Sequence, residues 1–365
     1  MKKIMAVLGT RPEAIKMCPV IIELKKRKNV DLYVCITGQH REMLRSVLDI
    51  FGVRADCDLD IMKEGQSLAD ITKAVLDGIS EVLEREKPDV VLVHGDTTTA
   101  FAASLACFYK KIPVGHVEAG LRTYDVYSPY PEEFNRRAID ITASYLFAPT
   151  RLSAENLLRE GADENSIFVT GNTAIDALRL TVREEYSSPI TEAAAGKRII
   201  LLTAHRRESH GEALRGIFRA VRRIADEFDD VMIVYPVHPN PVVRAAAEEI
   251  LSGHERIMLT EPLDVIAFHN LMAKGFFIMT DSGGIQEEAP SLGKPVLVLR
   301  DVTERPEGVE AGTLRIAGTD EEKVYLACKN LLCNETEYAK MSSAENPYGD
   351  GKASRRIADA LLSEA

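Results

Sequence analysis

Phe276-Phe-Ile-Met-Thr-Asp281-Ser282-Gly283-Gly284-Ile-Gln-Glu-Glu288-Ala-Pro290 begins as an apolar run, passes through a two-glycine turn and continues with helix-forming residues. It reads as a buried strand over 276–280 followed by a helix. A strand that becomes a helix through Ser-Gly-Gly exposes several unpaired backbone N–H groups, with the positive end of the helix dipole behind them. That arrangement favours an anion, and phosphate is the usual one. Glu288 lies nearly two helical turns further on, far enough to meet a neutral polyol such as a ribose, whose adjacent hydroxyls suit two carboxylate oxygens. Glycines that merely permit a tight turn would read the same way, so the partners elsewhere in the chain have to decide.

The same rhythm extends outward on both sides. Residues 198–203, 231–235, 256–259 and 295–299 are apolar runs separated by helical segments, as are 3–8, 31–37, 90–94, 113–118, 145–148 and 167–169 in the N-terminal half. Strands that are apolar on both faces and alternate with helices mark parallel sheets covered on both sides, an α/β fold. At 365 residues the chain is too long for one core and suits two domains, which implies a cleft. Residues 171–196, with Ser187-Ser-Pro and Ala193-Ala-Ala-Gly, read as a connecting helix and linker. Leu68, Ile71, Val75, Ile79, Val82 and Leu83 recur at helical spacing and predict one apolar helix face.

A net charge of −11 argues against a nucleic-acid or anionic-membrane surface, since either would need a basic patch. No run of about 18 apolar residues is present to span a bilayer, and Ile4–Leu8 is too short for a signal-peptide core. A soluble, cytoplasmic protein is expected. The six cysteines form no Cys-x-x-Cys pair, so reduced, packed thiols are expected rather than disulfides or a zinc knuckle.

Ligands of parallel sheets bind at the carboxyl ends of the strands. Gly9-Thr10-Arg11-Pro12-Glu13 follows the first strand as a second phosphate cradle, with Arg11 and Lys16 as its cations, although both could be solvated surface charges. Asp96 and Glu118 also fall at strand ends. The loop after residue 203, beginning Ala204-His205-Arg206-Arg207, is conspicuously polar, and Arg305 follows the last strong strand. Glu133, in the first turn of a helix beginning at Glu132, reads as dipole compensation. Neither Gly-x-Gly-x-x-Gly nor a Walker motif occurs, which leaves bound NAD and ATP hydrolysis without support. His94-x-Asp96 and His116-x-Glu118 each put two potential metal ligands on one side of a strand, but these histidines could equally be packed supports for the carboxylates.

Taken together, Gly-Thr-Arg11-Pro-Glu, His94-Gly-Asp96-Thr-Thr-Thr, His116-Val-Glu118-Ala-Gly-Leu-Arg122, Ser-Pro-Tyr-Pro-Glu132-Glu-Phe-Asn-Arg136, His205-Arg-Arg-Glu-Ser and Asp281-Ser-Gly-Gly-Ile-Gln-Glu-Glu resemble the non-hydrolysing UDP-N-acetylglucosamine 2-epimerases. The match runs nearly end to end, down to Asn346-Pro-Tyr-Gly-Asp-Gly. The resemblance implies a glycosyltransferase-B-like fold, with two Rossmann-like domains facing across a cleft. Residues 1–172 would form the first domain and 173–352 the second, with a last helix, 353–365, packing back on the first. It implies a homodimer that interconverts UDP-N-acetylglucosamine and UDP-N-acetylmannosamine through a 2-acetamidoglucal, without metal or other cofactor. Carried over residue by residue, Asp96, Glu118, Glu132 and His205 are catalytic. Arg11, Lys16, Ser282, Gly283, Gly284 and Arg305 hold the diphosphate, Glu288 the ribose, and Phe268 lies near the uracil. A hydrolysing epimerase, a glycosyltransferase or a silent UDP-sugar sensor would share the fold. A mere anion binder, however, would not keep three carboxylates nearby.

Some bacterial members carry a second, activating UDP-N-acetylglucosamine site. The matching positions here are Gln39, His40, Glu42, Gly65 and His238, where a glutamine and an arginine of the family pattern are replaced by Glu42 and Gly65. Both replacements remove donors to phosphate. Activation is therefore expected to be weak or altered, and sharp stimulation of UDP-N-acetylmannosamine turnover by trace UDP-N-acetylglucosamine would contradict this.

Overall fold

The computed structural model describes residues 1–38, 41–63 and 65–363, without the side chains of 41–43 and 207. Gln39, His40 and the Glu42 side chain thus lie outside the described residues. The chain divides into two compact units, one made of Met1–Leu180 with Tyr348–Ala365 and the other of Thr181–Pro347.

The first unit holds β1 (Lys2–Leu8), β2 (Val30–Ile36), β3 (Cys57–Asp58), β4 (Val90–His94), β5 (Val114–Val117), β6 (Tyr145–Ala148) and β7 (Ile167–Val169). They form one parallel sheet in the order β3-β2-β1-β4-β5-β6-β7. Alternate residues of β1 serve opposite faces, as the pleat requires. Ile4, Ala6 and Leu8 pack with Met17, Ile21 and Leu24 of the helix Arg11–Lys25. Met5 and Val7 pack with Ala100, Ala103 and Ala106 of the helix Thr98–Tyr109. The helices that follow β1 and β4 therefore lie on opposite faces, and the winding reverses between these two strands.

The helix Leu68–Glu86 buries Ile71, Val75, Ile79, Val82 and Leu83 as its spacing predicts, but Leu68 is 41% exposed. Leu68 immediately follows the N-cap Ser67, so it overhangs the start of the buried stripe.

The last helix, Ala353–Leu362, puts Ile357, Ala358 and Leu361 into the core shared with Leu24. Asp176 receives its first amides, Ala353 N at 3.1 Å and Ser354 N at 2.9 Å, and Lys2 Nζ donates to the Leu361 carbonyl at 2.7 Å. Burial of Ile357 and Leu361, at about 1.5–3 kcal/mol each, outweighs the exposed pair Arg27–Asp359, worth about 0–1 kcal/mol. Packing, not charge, docks this helix.

The second unit holds β8 (Arg198–Thr203), β9 (Val231–Pro236), β10 (Ile257–Thr260), β11 (Phe277–Thr280), β12 (Val296–Val298) and β13 (Leu314–Ile316). They are parallel in the order β10-β9-β8-β11-β12-β13, the doubly wound pattern, with its own switch point between β8 and β11. The short strands β3 and β13 lack a long apolar run and are not evident in the sequence. Among the described residues, no helix is long and apolar enough to cross a membrane.

Candidate active site

The first unit gathers its chemistry at the ends of β1, β4 and β5. Behind β1, the buried Glu13 carboxylate accepts from Gly9 N at 3.1 Å and Thr10 N at 2.6 Å, and from Thr97 Oγ1 of the loop after β4 at 2.8 Å. It thereby ties the two loops together. Arg11, half-buried, starts the helix that this turn launches. Gly9 is required here because a Cβ would run into the Thr99 side chain.

Glu118 follows β5 in the left-handed region, φ 71°, where a side chain other than glycine's is strained. Its carboxylate forms an ion pair with Lys16, accepts from Asn172 Nδ2 at 3.2 Å and lies 3.7 Å from His94 Nε2. Lys16, predicted at the diphosphate, therefore lies against a carboxylate. Burial pushes His94 down to about 3, against the opposing charge of Glu118, so the ring beside Glu118 is neutral.

Asp96, after β4, pairs with Arg136, and its carbonyl accepts from Asn135 Nδ2 at 2.9 Å. Arg136 is one turn beyond Glu132 on the helix Glu132–Thr142, which puts Glu132 on the same helix face as the residue gripping Asp96. The Glu132 Oε2 atom is buried and makes no hydrogen bond among the described residues, an uncommon condition for a carboxylate and one suited to a base.

His116 supports this arrangement from below. Its Nδ1 lies 2.6 Å from Asp140 and its Nε2 2.7 Å from the Gly95 carbonyl. Both ring nitrogens are thus already engaged by the protein. Asp140 also receives Gly120 N at 3.2 Å and pairs with Arg122 at 2.7 Å. Burial alone would raise its pKa, but His116 and Arg122 hold it below the usual carboxylate range.

Glu133 departs from the dipole reading. It is fully buried, accepts from the amides of Thr123 and Tyr124 at 3.1 Å each, and pairs with Arg136 at 3.3 Å. A buried acid at a helix start has taken the amides of the preceding loop as its partners.

In the second unit, Ser282, Gly283 and Gly284 open the helix Gly283–Glu288 directly after Asp281. Six residues make a short helix, so the bare amides and nearby cations matter more than an extended dipole. The Arg305 guanidinium flanks Gly283, where a Cβ would come within 3.4 Å of Nη2, while its Nε is paired with the buried Glu287. Glu288 lies close to Gly284 and 3.8 Å from His269 Nε2, with the Phe268 ring 6.5 Å from that of His269. At the end of β8, His205 sits 2.9 Å from Asp281. Its ring stacks on His238, centroids 5.1 Å apart, so His238 adjoins a predicted catalytic residue. Gly65 has the left-handed φ of 75°.

Glu13, Asp140, Asn172 and Asp281 were not evident as site residues. Glu13 alone carried a signal, since it stands three residues after the N-cap Thr10 in a capping-box position.

The family model described as UDP-N-acetylglucosamine 2-epimerase matches residues 22–362. The chain is 61% identical over 360 residues to the UDP-N-acetylglucosamine 2-epimerase of Bacillus subtilis (strain 168), spanning 99% of this chain and 95% of that protein. A solved structure of S. aureus MnaA with UDP is 53% identical, with a TM-score of 0.93 over 99% of this chain and 96% of that one. The crystal structure of the Neisseria meningitidis UDP-GlcNAc 2-epimerase bound to UDP-GlcNAc is 49% identical, with a TM-score of 0.91 over 99% and 100%.

Burial pushes the Glu13 carboxyl up to about 7, against hydrogen bonds from Thr10, Thr97 and Gly9 that lower it. The folded protein then keeps this proton after the unfolded chain, at the ordinary 4.5, has lost it. Its contribution therefore costs stability progressively as pH rises from about 4.5 to about 7. Glu13→Gln removes the effect. Relative to wild type, the variant is expected to gain up to about 3 kcal/mol across that window, at about 1.4 kcal/mol per pH unit, read from urea midpoints. A difference that stays flat with pH would contradict this.

Proposed function

The chain belongs to the UDP-N-acetylglucosamine 2-epimerase family, and from that membership we propose that it interconverts UDP-N-acetylglucosamine and UDP-N-acetylmannosamine by loss and re-addition of UDP. The observation that carries this reading is the set of carboxylates in the first unit. Glu118 and Asp96 stand at neighbouring strand ends, each bound to a cation, and Glu132 keeps a buried oxygen without a hydrogen bond among the described residues.

The hydrogen on sugar C2 is a poor acid. Its removal is eased if the C1–O bond breaks as the proton goes to a carboxylate, with the bond's electron pair leaving on the diphosphate and a C1=C2 double bond forming. Re-addition of UDP at C1, with a proton delivered to the opposite face of C2, gives the epimer. Two faces call for two proton-handling groups, and clustered acids acquire separated acidities because like charges resist ionising together. Arg11, the amides around Ser282–Gly284, Arg305 and His205 would stabilise the charge on the departing diphosphate. Arg305 is itself held in place, its Nε paired with Glu287 and its Nη1 donating to the Glu304 carbonyl at 3.3 Å. Glu288 is assigned the ribose and Phe268 the neighbourhood of the uracil. Solved relatives bind UDP and UDP-GlcNAc, which supports the substrate class.

We also propose that the enzyme works as a homodimer. Phe108 and Tyr109 on one helix and Phe134 and Ile141 on the next are exposed, Ile141 at 85%, and the Phe101 and Phe134 rings, 5.6 Å apart, join the two helices. Large apolar side chains on adjacent helices form the kind of patch that a second copy covers.

In deuterated water, proton NMR of UDP-N-acetylglucosamine with the protein is expected to show UDP-N-acetylmannosamine appearing while the C2 proton signal is lost from both sugars. Retention of that proton, or release of free sugar as the sole product, would overturn the reading. Asp96→Asn and Glu132→Gln are each expected to cut turnover by about 10²- to 10⁴-fold. For the dimer, Phe108→Asp with Ile141→Asp should sediment as a monomer, and a monomeric wild type would refute the assignment.

A further inference from the structure

An anion loop is an unfavourable place for a carboxylate, yet Asp281 stands directly before Ser282 and is only 1% exposed. Burial works against its charge, but His205 and the amides of Arg206 and His205 hold its pKa below the ordinary value. An ionised group there would repel the diphosphate unless its charge and lone pairs were committed elsewhere.

They are committed to the loop after β8. Asp281 Oδ2 accepts from His205 N at 2.5 Å and from Arg206 N at 2.7 Å. Its Oδ1 lies 2.9 Å from His205 Nδ1 in an ion-pair contact. On the flat side of the same imidazole lies His238, nearly parallel at 15°. The His238 Nδ1 accepts from Asn240 N at 3.2 Å, which fixes that ring as well. One edge and one face of His205 are thus occupied, and the side chain remains 35% exposed.

We propose that Asp281 is a positioning residue for the reaction assigned above, holding His205 with a proton on Nδ1 so that Nε2 is presented to the diphosphate. An ionised carboxylate can only accept, so Asp281 can engage the nearby Nδ1 only while Nδ1 carries hydrogen. With Nδ1 protonated, a proton taken up on Nε2 makes the imidazolium, which donates to a phosphate oxygen while its charge is balanced by Asp281. The pair is neutral overall, and the carboxylate no longer opposes the anion. An asparagine at this position could still accept from both amides, but its NH₂ would face Nδ1 and force the other tautomer, leaving an uncharged donor. The stack on His238 limits how far the ring can turn.

This inference rests on the epimerase reading, and its test separates the two. Asp281→Asn is expected to lower kcat roughly 10- to 100-fold with KM changed less than about 3-fold, because a charged donor to a developing charge acts mainly in the transition state. His205→Asn should show a loss at least as large, and the double variant should be no slower than His205→Asn alone. Asp281→Asn with wild-type kcat, or losses that multiply in the double variant, would overturn the proposal. Because Asp281 also binds two amides, a second measurement uses the unaltered protein. Nitrogen-15 NMR of its histidines, with His205 identified by comparison with His205→Asn, should show a protonated Nδ1 without ligand and both nitrogens protonated with UDP. An unprotonated Nδ1 would overturn the proposal even if Asp281→Asn fails to fold. Absence of epimerisation by wild type would sink the functional reading instead and leave the tautomer result standing.

Discussion

Where β1 lies against β4, the helices that follow leave to opposite faces of the sheet, and neither can fill the space above the strand ends. This winding constraint sets the chemistry of the first unit, because the turns at Gly9-Thr10 and Gly95-Asp96 both open into that space. The second sheet repeats the arrangement between β8 and β11, where His205 and Asp281 meet. An otherwise apolar fold thus concentrates polar residues at two predictable places.

Holding polar loops at such places requires internal partners for their amides, and buried acids supply them. Glu13 binds the turn after β1 to the loop after β4, Asp140 fixes Gly120 and His116, Glu133 holds Thr123 and Tyr124, and Asp281 holds His205 and Arg206. A buried carboxylate that accepts several N–H bonds satisfies donors which would otherwise cost about 1–3 kcal/mol each to leave unpaired. The acids near the strand ends therefore differ in what they hold. Some turn inward and brace loops, whereas Asp96, Glu118 and Glu132 are balanced by cations or left with an unbonded oxygen.

The strands that shape the sheets were legible because a buried strand must be apolar where it is covered, as 199–202 and 146–148 are. The glycine turns were legible for steric reasons. Pairings across long stretches of chain were not, since nothing near Lys16 specifies that it will meet Glu118, and nothing near His116 points to Asp140. Glu133 shows the limit most plainly. An acid in a first helical turn has an adequate local explanation, and only the fold of the preceding loop reveals that it is buried and multiply bonded.

The course of the chain has a consequence for biogenesis. The first sheet's core needs Ile357, Ala358 and Leu361, which leave the ribosome after the whole of Thr181–Pro347 has been made. The middle of the polypeptide is contiguous and can acquire its structure while translation continues. The strands of the first sheet, although synthesised earlier, stay without part of their apolar cover until Ile357 to Leu361 emerge. During that interval the nascent N-terminal half presents apolar surface that is prone to aggregation.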